Sequence, residues 1–71
     1  MDFNQLEQLG DELRGIGHKR RELVEHIYKE VQEGDQQSSK ELYRELSSIS
    51  DKAIGIIQHQ KNLFDQEVSR M

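Results

Sequence analysis

One break interrupts an otherwise continuous helical pattern. Gly34-Asp35-Gln36-Gln37-Ser38 is the only strong turn signal in 71 residues, and the chain contains no proline. On each side of the break, apolar residues recur at spacings of three and four, the period of one helix face. Before it they are Leu6, Leu9, Leu13, Ile16, Leu23 and Ile27, with Arg20 in one seam position. After it they are Leu42, Leu46, Ile49, Ala53, Ile56 and Leu63, with Gln60 filling a gap. Two long helices joined by so short a connection must lie antiparallel. The expected fold is all-α: one hairpin domain over 1–71, coiled-coil-like, with helix one over about 3–33, a turn at 34–38 and helix two over about 39–68. The twelve apolar seam residues are its expected core.

Local signals set these ends. Asp2 and Gln5 have capping-box spacing, and Met1 is placed to pack on Leu6 as a hydrophobic staple. Gly34 supplies the left-handed residue that ends a helix. Ser38 and Glu41 have a second capping-box spacing, which predicts a start near Ser39.

The second helix carries more apolar surface than one neighbour can cover. Tyr43, Ile57 and Phe64 form a row beside the seam, with Ile54 and Val68 nearby. Folding the chain back about residues 35–37 sets Val31 by Tyr43, Val24 by Ser50, Gly17 by Ile57 and Gly10 by Phe64. The opposite flank is polar: Gln5, Glu12, Lys19, His26, Glu45, Lys52, His59 and Gln66. The hairpin therefore exposes an apolar broad side built from Val24, Val31, Tyr43, Ile54, Ile57 and Phe64. An apolar stripe that no internal element can cover marks an interaction site. Two readings of Gly10, Gly15 and Gly17 stand. Either the first helix is loose, each glycine costing about 1 kcal/mol against alanine, or Gly10 and Gly17 make room for Phe64 and Ile57 by interdigitated packing.

Composition narrows the function classes. There is no cysteine, so no disulfide framework forms, which fits a reducing compartment. No apolar run approaches the ~20 residues of a membrane helix, and the acidic start reads against a secretory signal. The net charge of −4 disfavours nucleic acid or anionic membrane as a bulk partner. A chain this small, without metal or disulfide, usually needs a partner to reach useful stability.

The remaining constellations read as ordinary helix surface. His18, His26 and His59 have no ligand spacing for a metal, and no cofactor is expected; His26 and His59 lie on the polar flank. The basic run His18-Lys19-Arg20-Arg21 lacks interleaved aromatics. It reads as a solvated face with pairs such as Arg21–Glu25 or Glu22–His26, the Arg20 stem lying over small Ala53. The carboxylates are spread along helix surfaces with no shielded cleft to shift their pKa values. No phosphate loop or nucleophile elbow is present, and no enzymatic activity is expected. Ser39-Lys40-Glu41-Leu42 faintly resembles sporulation-type aspartyl-phosphate phosphatases, which are also short helical hairpins. Tyr43 stands where that family carries its acidic residue.

Gly34-Asp35 at the turn, the aromatic Tyr43 and Ala53-Ile54-x-Ile56-Ile57 resemble the YscE-like small proteins of type III secretion systems, over roughly residues 31–64. The first helix matches in character only. That resemblance implies a bacterial cytoplasmic co-chaperone folded as an antiparallel hairpin. It implies as partner a larger chaperone of tetratricopeptide-like helical repeats and, through it, a needle subunit kept soluble before export. Alone, such a chain is expected to be a weakly stable monomer or loose dimer. Two rivals share the pattern: a self-assembling needle-type filament subunit, whose turn usually carries proline, and a homodimeric four-helix bundle with a regulatory role.

Overall fold

In the computed structural model, residues 2–71 are described. They form helix α1 (Phe3–Gln32) and helix α2 (Gln36–Ser69), packed side by side as a hairpin about 55 Å long. The expected Met1–Leu6 staple lies outside the described residues. Leu23 and Ile56 are buried. Leu6, Leu9, Leu13, Ile16 and Ile27 of α1 are half-buried, as are Leu42, Leu46, Ile49, Ala53 and Leu63 of α2. Burial this shallow follows from having two helices only. Each seam side chain is covered from one direction and stays partly open along both edges.

The turn is shorter than the 34–38 expected, and Asp35 is the reason. α1 ends in a Schellman motif. The Gly34 N–H donates to Val31 O at 3.1 Å and the Asp35 N–H to Glu30 O at 2.9 Å. Gly34 sits at φ 79°, where a side chain would be strained. Asp35 then caps the next helix. Its carboxylate accepts from the Ser38 N–H at 3.0 Å and the Ser38 hydroxyl at 2.9 Å. Its carbonyl accepts from the Ser39 N–H and, at 2.7 Å, from the Ser39 hydroxyl. One residue thus finishes α1 and starts α2, so α2 begins at Gln36 rather than near Ser39.

The expected Ser38–Glu41 box does not form. Ser38 is spent on Asp35, and Glu41 instead accepts from Gln37 at 3.2 Å. At the other end, Asp2 caps α1 by accepting from the Asn4 and Gln5 N–H groups at 3.0 and 3.4 Å. The Gln5 side chain does not complete a reciprocal box. It reaches across to His59.

Candidate functional site: an apolar broad side

Two contacts between the helices fix their register. Gln5 Nε2 and His59 Nε2 lie 3.5 Å apart, and Lys19 Nζ lies 3.7 Å from Glu45 Oε1. From Gln5 to Lys19 the chain advances two heptads, and from His59 to Glu45 it retreats two. The polar flank is therefore closed by side chains meeting across the seam. The rows carrying Val24 and Val31 on α1 and Tyr43, Ile57 and Phe64 on α2 must then flank the other side of the seam.

That other side holds the exposed apolar surface. Val24, Val31, Tyr43, Ile54, Ile57 and Phe64 are all exposed, from 49% for Phe64 to 63% for Ile54. The reading from sequence missed two members, Phe3 and Tyr28, each about two-thirds exposed. Phe3 extends the row of Gly10, Gly17, Val24 and Val31 by one heptad, so the spacing alone identifies it. Tyr28 belongs to the adjacent row Glu7, Arg14, Arg21, Tyr28, whose three charged members hide it. With Val68, these nine are the exposed large apolar residues of the two helices, and all fall on two adjacent rows per helix.

The glycines are not packing notches. A Cβ built at Gly10 or Gly17 would meet nothing within 4 Å. Ile57 and Phe64 do not fill that space, so the expected small-against-large interdigitation is absent within the hairpin. Gly17 is exposed and Gly10 half-buried, and both lie on a row of the broad side. Near the turn, shallow depressions lie between Val31 and Lys40 and between Ile27 and Tyr43.

The basic run separates into three directions. Lys19 turns to Glu45 on the polar flank. Arg20 Nε donates to the Ser50 hydroxyl at 3.0 Å, and Arg21 pairs with Glu25 at 3.4 Å. Arg20 is exposed, and its head turns toward Ser50. His26 pairs with Glu30 at 3.8 Å rather than with Glu22, because the Glu30 side chain is held at the seam, only 17% exposed.

One electrostatic perturbation lies at the turn. The Ser38 backbone N–H and then its hydroxyl, both donating to Asp35, hold that carboxyl below its ordinary value. Among the described residues no cluster of His and carboxylate side chains is placed to hold a metal ion. Among the described residues, no helix is long and apolar enough to cross a membrane.

No family model, curated protein or solved structure matches this chain.

Proposed function

We propose that this chain is a non-enzymatic binding hairpin whose apolar broad side covers helices of a larger repeat-type protein. The observation that carries the reading is the segregation of exposed apolar side chains. Nine of them share one side, while the opposite flank is crossed by polar pairs. An apolar side lying along the length of a hairpin suits helix-in-groove packing. Its anchors are Tyr43, Ile57 and Phe64, since large aromatic and aliphatic groups dominate such contacts. Val24, Val31 and Ile54 widen the patch.

The resemblance of the turn and of Ala53-Ile54-x-Ile56-Ile57 to YscE-like proteins gives this reading its biological form. In that form the chain is a bacterial co-chaperone of type III secretion. It stabilises a tetratricopeptide-like chaperone and so helps keep the needle subunit from polymerising before export. The shallow core supports a partner-dependent role, because among the described residues only Leu23 and Ile56 are buried.

The test is co-expression with a tetratricopeptide-like needle-subunit chaperone. A stable complex, with thermal unfolding of both chains shifted upward, is expected. The pair Ile57→Asp and Phe64→Asp should abolish the complex while circular dichroism still reports helix. Complex formation unaffected by that pair would overturn the broad side as the docking face. Fibres formed by the chain alone would instead favour the filament subunit.

A further inference from the structure

The broad side is basic, although the chain is acidic. Its four rows carry Arg14, Arg21, Lys40 and Lys61 against the single acid Glu7, a net of +3. The whole chain is −4, which leaves −7 for all other positions. Arg20 adds to this side from the seam, because its guanidinium is tied to Ser50, in the same row as Tyr43, Ile57 and Phe64.

Among the described residues, Arg20 and Lys40 are the basic groups of this side without a carboxylate partner, and Arg20 is the one near its centre. Arg14, Arg21 and Lys61 each lie within salt-bridge distance of a carboxylate on their own helix: Asp11 at 3.9 Å, Glu25 at 3.4 Å and Asp65 at 3.0 Å. Arg20 has only the neutral Ser50 hydroxyl, and no carboxylate among the described residues pairs with it. A guanidinium has five N–H donors, and Ser50 occupies one. Water satisfies the others while the side is open. Covering the side removes that water, and a desolvated unpaired charge opposes binding strongly. The surface that covers it must therefore bring its own acceptor.

Resting on the docking proposal above, we infer that the partner is a helical protein surface carrying a carboxylate among its apolar residues, placed to receive Arg20. A second copy of this chain fits poorly. Arg20 and Ser50 lie near the middles of α1 and α2, so a two-fold face-to-face pair with full overlap brings the Arg20 side chains of both copies into the same central stretch, neither with a carboxylate of its own. Like charges then meet where the apolar contact should be deepest. An anionic bilayer also fits poorly. The Arg20–Ser50 bond interrupts the apolar stripe at its centre, and the carboxylates of Asp11, Glu25 and Asp65 stand beside the basic residues at its borders. A discrete carboxylate on a protein reaches Arg20 without meeting those border acids.

Three synthetic amphipathic helical peptides test this. They share one leucine face and differ at its centre: Glu, Gln or Lys. Fluorescence anisotropy against the full chain should rank Glu over Gln by about tenfold, the size of one charge-assisted hydrogen bond, with Lys weakest. Arg20→Leu should erase the preference for Glu. It should also raise the melting temperature of the hairpin alone, because it returns an apolar side chain to the seam; a lower melting temperature would make Arg20 a structural residue and overturn its assignment. Equal binding of the Glu and Gln peptides would overturn the carboxylate inference and leave the docking proposal standing. Absence of binding by any peptide would overturn both. Flotation with phosphatidylglycerol vesicles in preference to peptide binding would assign the side to membrane. A dimer in sedimentation velocity that Ile57→Asp dissociates would assign it to a second copy.

Discussion

Lys19 Nζ lies 3.7 Å from Glu45 Oε1, and this pair closes the polar flank of the hairpin across the seam. With Gln5 and His59 two heptads away, it fixes which side of each helix faces its partner helix and which is left open. The same contact also shows what the flank does not do. Both side chains are about half exposed, and such pairs contribute little because water and salt screen them. A double-mutant cycle of Lys19→Ala and Glu45→Ala should give a coupling of about 0.2–1 kcal/mol. It should shrink toward zero as salt rises to about 1 M. The polar flank sets register by complementarity, while the seam supplies the stability.

Stability resides in the few side chains that lose contact with water. Leu23 is 3% exposed and Ile56 is 7% exposed, deeper than any other seam residue. Replacing either with alanine should cost about 2–5 kcal/mol. That is a large share of the stability of a small domain, so Leu23→Ala should shift urea unfolding sharply or abolish the folded baseline. Ile57→Asp should change the same curve little, since Ile57 is half exposed. A Leu23→Ala curve that overlays the parent curve would show that the seam is not the core.

The turn gives a pH-dependent term of known sign. The carboxyl of Asp35 titrates below its ordinary value of 3.8, because Ser38 donates to it through both its N–H and its hydroxyl. A depressed folded pKa means that this contribution is present above the unfolded value. It is lost as pH falls through the lower folded value. Helix stability followed by circular dichroism should therefore decline on acidification below about pH 4. Asp35→Asn should flatten that part of the profile while keeping a competent cap. Asp35→Ala should remove the cap and lower the melting temperature at neutral pH as well. An acid limb unchanged in Asp35→Asn would assign the pH dependence to other carboxylates.

These elements differ in how far the sequence displays them. The two helices and their pairing are written in a heptad of leucine and isoleucine that nothing but a hairpin satisfies in so short a chain. The placement of the turn is less visible. Asp35 acts at two helix ends at once, and the competing Ser38–Glu41 spacing is equally good on paper. What decides is that Schellman closure already places Asp35 where its carboxylate meets the Ser38 N–H. The rows of the broad side follow from register, so Phe3 was readable by extending one row. Tyr28 was not, because Glu7, Arg14 and Arg21 make its row look solvated. The direction of Arg20 is a matter of rotamer and of one hydroxyl at Ser50, and periodicity carries no information on either.

Gly10 and Gly17 separate the stability of the hairpin from its proposed function. In the free chain an added methyl at either position meets nothing within 4 Å. Alanine also restricts the unfolded chain and favours helix, by about 1 kcal/mol per site. Gly10→Ala and Gly17→Ala should therefore each raise the melting temperature of the isolated hairpin, and the double variant should add their effects. Binding should respond in the opposite sense. Both positions lie on the broad side, where bare backbone lets a second helix come close, so a methyl there should hold the partner away. The expected result is a more stable hairpin with weaker affinity for the proposed repeat-type partner, read by thermal melting and calorimetric titration on the same samples. Higher stability with unchanged affinity would place the partner over the α2 rows alone. A lower melting temperature would show that α1 packs more tightly at these glycines than the open space around them implies.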